Sequence, residues 1–288
     1  MEKLDFIVGC GYTGLQLAER RIMHGYNVHA LSRTLDHCQL LQDKKIRVTR
    51  GDLDHDKPLV FPDINIENLF YLVPPNPAVA GDRRVAKLLT ALNHVSPPNR
   101  IVYISTTGVY GDAKGAWVDE KSEINPLSRN AKNRVVAELA FKEWCQFNAV
   151  NLTILRVAGI YGSERLPVKR IKQGLKVVKK SESAVSNRIH VFDLVSICER
   201  VTATDEVFDI VNVADGNPST MTDYFVKVAK MYDLPQPEEI TMNQAMQEFS
   251  SEMISYLKES KKVSNKKLRE KLGYCLRYPN LESGLSAS

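Results

Sequence analysis

The chain has 288 residues, of which 43% are hydrophobic and 25% charged, and its formal net charge is +5. These values predict a globular protein with one large α/β domain and a smaller appended lobe. The mild positive charge is spread along the chain and gives no indication of nucleic-acid binding, and the apolar runs are too short to predict a membrane span.

Other features of the sequence bear on compartment and metal binding. Met1 leads directly into a charged strand start, so we expect no signal peptide or lipidation and a cytoplasmic protein. The five cysteines are scattered and odd in number, which is typical of reduced thiols in a cytosol. The six histidines show no metal-ligand spacing, so we expect no metal.

The first predicted strand, residues 4–8, leads into a glycine-rich turn and a helix over 15–24. Gly9 makes the tight turn, Gly11 lets the backbone approach a pyrophosphate, and Gly14 lets helix and strand pack closely. Phosphates then bind N–H groups at the start of the helix, beside Tyr12 and Thr13. The pattern predicts dinucleotide binding, with a purely structural turn as the alternative.

The second predicted strand, 27–31, ends in Ser32, Arg33 and Thr34. An acidic residue there would bind the ribose hydroxyls of NAD. Arginine instead offers a fork of donors matched to a phosphate, and the two hydroxyls add further hydrogen bonds. We therefore predict NADP as the cofactor, with NAD also compatible; the alternative is a solvated loop arginine.

Strand and helix signals continue to alternate, which predicts an α/β fold with a doubly wound parallel Rossmann sheet. The predicted elements are a helix at 35–43, strands at 46–49 and 68–73, a helix at 82–95, a strand at 100–105, a helix at 130–148 and a strand at 152–156. We assign 1–162 to the NAD(P)-binding domain, with strand elements returning from about 189–214, and 163–288 to a small α/β substrate lobe. The strand ends carry further predicted cofactor contacts: Asp52, Leu53, Val73 and Pro74.

The strand at 100–105 ends in hydroxyl residues, which a parallel sheet places at the nicotinamide end of its cofactor. With the glycine pattern, this resembles the extended short-chain dehydrogenase/reductase superfamily, in its epimerase/dehydratase group. Thr106 matches the catalytic Ser/Thr of that group, and Thr107 is a predicted substrate contact. Further matching segments follow in order: Gly51-Asp52-Leu53, Leu155-Arg156 with Ile160-Tyr161-Gly162, the His-Val-x-Asp signature at 188–194, and the C-terminal ending at 264–285.

The resemblance implies a Tyr-x-x-x-Lys pair, in which the lysine lowers the tyrosine pKa and the tyrosinate moves a proton. Matching the family's glutamate to Glu138 puts Asn130 at the tyrosine position and Arg134 at the lysine position. Asparagine cannot ionise, and the fixed charge of arginine suits ligand binding better than proton relay. Tyr110 and Tyr161 are alternative proton donors, although both match structural tyrosines of the family. We predict an atypical member that lacks the pair.

The segment between 162 and 190 is short and strongly basic. Such a run is usually a solvated helix face, and the alternative is a site for an anionic substrate, with Arg188 as its best candidate. Met242, Met246 and Met253 lie at helical spacing and are predicted to form lobe core. Thr220-x-x-Asp223 is typical of a helix start.

Two functions remain open from the sequence. The first is an NAD(P)-dependent oxidoreductase or epimerase-like enzyme that acts on a small anionic or nucleotide-sugar-like molecule, as a monomer or a homodimer. The second is a non-catalytic NADP-binding sensor or partner-binding module that has lost the proton relay. A purely structural protein would show no cofactor affinity.

Overall fold

A computed structural model describes residues 4–62 and 64–287, in which strands and helices alternate along the chain. The strands are β1 Leu4–Val8, β2 Asn27–Ser32, β3 Arg47–Arg50, β4 Asn68–Tyr71, β5 Arg100–Thr106, β6 Trp117–Val118, β7 Asn151–Val157, β8 Gly159–Tyr161, β9 Lys176–Val178, β10 Val185–Ser186, β11 Arg188–His190, β12 Ile210–Val213, β13 Ser219–Thr220, β14 Glu238–Ile240 and β15 Lys262–Val263. The helices are α1 Tyr12–Met23, α2 Leu35–Asp43, α3 Arg83–Leu92, α4 Arg129–Phe147, α5 Val168–Lys172, α6 Val191–Thr202, α7 Met221–Met231, α8 Met242–Glu248, α9 Ser251–Lys258, α10 Lys266–Glu270 and α11 Leu281–Leu285.

Seven strands form the central sheet, in the order β12-β7-β5-β4-β1-β2-β3. The pairings β1–β2, β2–β3, β1–β4 and β4–β5 are parallel. The strand order reverses between β1 and β4, which is where open α/β sheets bind their ligands. The predicted α/β fold with a doubly wound sheet is confirmed.

The sheet core explains why apolar runs form its central strands. All five residues of β1 are buried, including Asp5, whose carboxylate pairs with Arg21 and accepts a hydrogen bond from Asn68 at 2.8 Å. A strand covered on both faces must be apolar throughout, and a charge inside it needs a partner. Tyr103 and Phe141, with ring centroids 4.8 Å apart, pack α4 against β5.

The chain divides into two compact units. Unit 1 comprises 1–106, 132–156 and 195–211, and unit 2 comprises 107–131, 157–194 and 212–288. The predicted boundary lies at 162, with strand elements that return to the first domain from about 189–214. Unit 1 likewise includes 195–211, whereas 107–131 belongs with the later segments. Sequence periodicity detects elements but not which unit an element joins.

Unit 2 is built from short two-stranded sheets and helices around small cores. The predicted helix start at Thr220 is confirmed as a capping box, in which Thr220 and Asp223 exchange backbone and side-chain hydrogen bonds. The predicted lobe core is corrected at one position: Met242 and Met253 pack against a core, but Met246 is 45% exposed. Ala245, three residues after Met242 on α8, is the buried residue of that helix, so the adjacent Met246 lies outside the buried stripe.

Candidate cofactor and substrate sites

The glycine loop between β1 and α1 shows a separate steric reason for each glycine. Gly9 has a φ of +99°, and a Cβ there would lie 2.8 Å from the Val73 backbone nitrogen. A Cβ on Gly14 would lie 2.4 Å from the Gly9 carbonyl oxygen, so only glycine lets α1 approach β1. A Cβ on Gly11 would meet nothing within 4 Å, so this position faces open space. Gly9 thus matches the predicted tight turn, Gly14 the packing contact between helix and strand, and Gly11 the position where a phosphate approaches the backbone.

The start of α1 is suited to an anion. Gly11 is the N-cap residue and provides no side-chain cap, and the first turn carries no acidic residue. Helix N-termini carry N–H groups that lack intrahelical partners and a partial positive charge, so they bind phosphate.

A cavity of about 480 Å³ lies at the carboxyl ends of β1, β2 and β4. Nine predicted cofactor residues line it: Gly9, Gly11, Ser32, Arg33, Thr34, Asp52, Leu53, Val73 and Pro74. Tyr12, Thr13 and Gly14 are absent from its lining and form the first turn of α1 behind it. The structure thus brings the glycine loop and the end of β2 to one cavity.

The end of β2 presents donors to this cavity. The Arg33 side chain is 67% exposed, and Thr34 is the N-cap of α2 without a side-chain capping bond. Ser32 is buried, and its Oγ lies 2.9 Å from His37 Nδ1. His37 also lines the cavity but was missed from the sequence, since a single histidine on a predicted helix carries no signal of its own.

An ion pair missed from the sequence also lines the cavity. Arg84 donates from Nε and Nη2 to the two carboxylate oxygens of Asp54, at 2.7 and 2.6 Å, and from Nη1 to the Pro74 carbonyl at 2.6 Å. The hydrogen bonds from Arg84 lower the pKa of Asp54. Arg33 Nη1 lies 4.0 Å from the same carboxylate. Because Arg84 already compensates Asp54, the charge of Arg33 is left largely available.

The predicted lysine position, Arg134, lies on α4 within unit 1. Its Nη1 donates to the Ile104 carbonyl at 2.6 Å, to Tyr103 Oη at 3.2 Å and to the Val73 carbonyl at 3.3 Å. Arg134 thereby fixes the carboxyl ends of β4 and β5 near Thr106, the last residue of β5. Asn130 lies one turn earlier on the same helix and is exposed.

The matched glutamate belongs to a buried network beneath these strand ends. Glu138 accepts hydrogen bonds from Ser105 Oγ at 2.6 Å and from Arg156 Nη2 at 2.8 Å. All three side chains are buried, so the pairing compensates charges that would otherwise be costly. The network locks α4 to β5 and β7 and does not supply a base.

In unit 2, Arg188 is only 5% exposed, unlike most of the basic run before it. Its Nη1 donates to Ser186 Oγ at 3.0 Å and Ser219 Oγ at 3.2 Å, and its guanidinium lies 4.5 Å from the Tyr224 ring centroid. Burial lowers the pKa of Arg188. Among the described residues, no carboxylate lies within ion-pair distance of it, but the buried carboxyl of Asp215 interacts with its charge at longer range. Thr107, the other predicted substrate contact, is buried at the start of the 3-10 turn Thr107–Tyr110.

The two alternative tyrosines are poor proton relays. Tyr110 Oη donates to Asn212 Oδ1 at 2.7 Å, and Tyr161 Oη donates to the Asn280 carbonyl at 3.3 Å. Burial raises the pKa of Tyr161. The His-Val-x-Asp signature has a structural role as well, because Asp193 accepts hydrogen bonds from Tyr274 Oη and the Arg277 backbone, both at 2.8 Å.

Among residues 4–62 and 64–287, no helical segment combines the length and the apolar composition that a membrane span requires. No group of three or more His, Cys, Asp or Glu side chains there could hold a metal ion.

Comparison with known proteins agrees with this geometry. Residues 78–214 match the model of the NAD dependent epimerase/dehydratase family. Protein YeeZ of Escherichia coli K12 is 26% identical over 242 residues, covering 81% of this chain and 85% of its own. A conserved protein of unknown function from Silicibacter pomeroyi DSS is 27% identical, with a TM-score of 0.82 over 99% of this chain and 97% of that one. UDP-glucuronic acid 4-epimerase from Bacillus cereus, solved with NAD, has a TM-score of 0.76 at 16% identity, over 99% and 97% of the two chains.

Proposed function

Residues 78–214 carry a domain of the NAD dependent epimerase/dehydratase family, and from this premise we propose that the protein is an NADP-binding oxidoreductase of the epimerase type. The observation that supports the proposal is the cavity of about 480 Å³ that joins the glycine loop to Ser32, Arg33 and Thr34. Such a cavity, at the switch point of a parallel sheet, is suited to a dinucleotide.

The residues of unit 1 fit the parts of NADP. The start of α1 at Gly11 would hold the pyrophosphate, and Asp52 and Leu53 would lie against the adenosine. Arg33 would bind the 2′-phosphate, helped by the hydroxyls of Ser32 and Thr34. A bound nicotinamide supplies an acceptor and donor of hydride, so oxidation and reduction at a carbinol carbon is the chemistry that this site would serve.

The substrate in this proposal is a small anion of nucleotide-sugar type. Arg188 supports an anionic group, since its guanidinium is buried, its hydrogen-bond partners are the neutral hydroxyls of Ser186 and Ser219, and the pKa of the nearby Asp215 is raised to about 7. Within unit 1, Thr106 would hydrogen-bond a reacting hydroxyl, and Arg134 would fix the strand ends around Thr106. Asparagine has no ionisable group and arginine carries a fixed charge, so in this proposal water or a substrate group carries the proton.

A second candidate is a non-catalytic NADP-binding sensor. It is favoured by the contacts of Arg134, which donates to two backbone carbonyls and so acts as a structural clamp. With Asn130 beside it on α4, the helix position that carries the proton relay in the family would hold no ionisable group.

Calorimetric titration of the purified chain with NADP and NAD tests the cofactor assignment. We expect both to bind, with NADP several-fold tighter, and the absence of binding by either would refute the proposal. Incubation with NADP and UDP-glucose or UDP-glucuronic acid, followed by chromatography of the sugars, separates the two candidates. Turnover supports the enzyme, whereas cofactor binding without turnover of any hydroxyl or carbonyl compound supports the sensor.

A further inference from the structure

Unit 2 contains a cavity of its own, of about 590 Å³. β9, α7 and α9 form most of its wall, which carries Val178, Met221, Phe225, Met253 and Leu257. Val178, Phe225 and Leu257 are buried, and the two methionines are half-buried. The volume lies within the range of about 300–1,000 Å³ that is typical of pockets for small ligands.

Several polar side chains on this wall are already engaged within the protein. Thr222 Oγ1 donates to the Val178 carbonyl at 2.5 Å, and Ser250 Oγ accepts from the Met253 backbone N–H at 3.3 Å. Lys176 pairs with Glu248 at 2.8 Å. A base or sugar placed here would give up hydrogen bonds to water for few partners, which is costly. A hydrocarbon group placed here would be stabilised, because the transfer of apolar surface out of water is favourable.

The cavity wall is in contact with the buried cation of unit 2. Arg188 Nη2 lies 3.2 Å from Met221 Sδ, and Tyr256 Oη lies 3.9 Å from the same sulfur. Met221 therefore separates the guanidinium from the cavity. A methionine side chain has three rotatable bonds and adapts its shape easily, so its displacement would bring Arg188 within reach of a ligand in the cavity.

We propose that unit 2 binds an amphipathic organic acid, with its hydrocarbon body in this cavity and its carboxylate on Arg188. The inference rests on the proposed function in one respect, because both use Arg188 as the contact for an anionic group. It differs in the substrate class, which is an acyl or aryl acid instead of a nucleotide-sugar. The apolar wall favours the hydrocarbon body of such a ligand, and the buried guanidinium, whose hydrogen-bond partners are neutral, favours its carboxylate.

Decanoate, decanol and UDP-glucose are the probes for a calorimetric test on the full chain. We expect decanoate to bind at least about ten-fold more tightly than UDP-glucose, and UDP-glucose not to displace it. Met253→Trp fills the cavity and should abolish decanoate binding. Met246→Trp is the matched control, since Met246 is 45% exposed and is absent from the cavity wall.

Arg188→Gln tests the contribution of the positive charge alone. Glutamine removes the charge but keeps a polar group that can hydrogen-bond the neighbouring hydroxyls. We expect it to weaken decanoate by about ten-fold, the effect of a lost charge-assisted hydrogen bond, and to leave decanol unchanged. The inference is overturned if decanoate does not bind, if Met253→Trp binds it normally, or if UDP-glucose displaces it. NADP titration of each variant reports on unit 1. NADP binding without decanoate binding rejects this inference alone, and the reverse result rejects the cofactor proposal alone.

Discussion

Single residues in the glycine loop have separable effects, because each glycine meets a different neighbour. Gly14 lies against the Gly9 carbonyl and serves the contact between α1 and β1, whereas Gly11 faces open space at the cavity. A side chain at one position therefore disturbs the fold, and a side chain at the other obstructs a ligand.

Gly11→Val should lower NADP affinity by more than an order of magnitude and leave the circular dichroism spectrum native. The side chain occupies the space that the pyrophosphate needs, and its Cβ meets no protein atom within 4 Å. Gly14→Ala is the matched comparison: its Cβ clashes with backbone, so we expect a loss of about 1–3 kcal/mol in unfolding free energy. Normal NADP binding by Gly11→Val, measured by calorimetry, would show that the phosphates bind elsewhere.

Arg33→Ala should remove the preference for NADP over NAD. A lost charge-assisted hydrogen bond at a partly exposed site costs about 1.5–3 kcal/mol, or ten-fold and more in affinity. Arg47→Ala on β3 is the control, because Arg47 is exposed and does not line the cavity. Equal affinities of the unmutated protein for the two cofactors would contradict the prediction.

Asp215 should make folding stability depend on pH. Burial raises its pKa from 3.8 to about 7, and its carboxylate accepts one hydrogen bond from the Asn217 backbone at 2.9 Å. The folded state then holds a proton that the unfolded state has released, so stability present below pH 4 falls as the pH rises to about 7.

Asp215→Asn keeps the acceptor and cannot ionise. We expect it to flatten this slope and to raise the unfolding free energy at pH 8 by roughly 4 kcal/mol relative to the unmutated protein. Urea unfolding at pH 4 and pH 8 measures the effect, and Asp209→Asn at an exposed position is the control. Parallel pH profiles for the Asp215 variant and the unmutated chain would argue against a raised pKa.

At the scale of elements, α4 carries both residues that pack against the sheet and residues at the positions predicted for catalysis. Its buried face carries Glu138 and Phe141, which pack and pair with the sheet, while Asn130 and Arg134 stand one turn apart at its start. Residues at this spacing share a helix face, so side chains introduced at these two positions would lie next to each other.

Under the proposed function, in which the substrate is of nucleotide-sugar type, restoring the pair as Asn130→Tyr with Arg134→Lys should increase the rate of sugar-nucleotide epimerisation. A positioned acid or base typically contributes a factor of about 10²–10⁴. Asn130→Phe with Arg134→Lys is the control, since it has the ring without the ionisable hydroxyl. Rapid turnover by the unmutated protein that survives Asn130→Ala would place the chemistry elsewhere, and a gain in the phenylalanine control would show a packing effect.

The elements were largely predictable, and their junctions less so. Alternating apolar runs predicted the sheet strands to within a few residues, because burial on two faces requires them. The predicted helix at 15–24 begins earlier, at Tyr12, since the glycine loop itself enters the helix. The Asp54–Arg84 pair could not be predicted from the sequence. Asp54 follows β3 and Arg84 lies in α3, and the two residues meet only in the folded protein.

At the scale of the whole molecule, unit 1 includes a late segment of the chain. Val195, Ile197 and Val201 of α6 are at most 2% exposed, and Glu199 pairs with Arg20 of α1. The helix therefore completes the core of unit 1, within the stretch of about 189–214 for which the sequence predicts a return to the first domain. That prediction names strand elements rather than a helix, because local periodicity reports the buried face of a helix but not which surface covers it.

A chain that ends at residue 162 should fail to unfold cooperatively, because it lacks α6 and β12. A chain that contains 1–213 supplies every segment of unit 1 and the whole of β12, and it is the matched comparison. Thermal denaturation followed by circular dichroism measures both. A sharp transition in the shorter fragment would mean that the sheet is stable without its last helix and strand.

The interleaving of the two units also affects how the protein is synthesised. β5 is central in the finished sheet, and six of its seven residues are buried, but its neighbour β7 is encoded about fifty residues later. At a usual translation rate, the nascent chain exposes this strand as an open edge for roughly 3–10 s. Exposed apolar edges pair with other chains. Yield during expression should thus depend on chaperones that hold the ribosome-bound chain until β7 emerges.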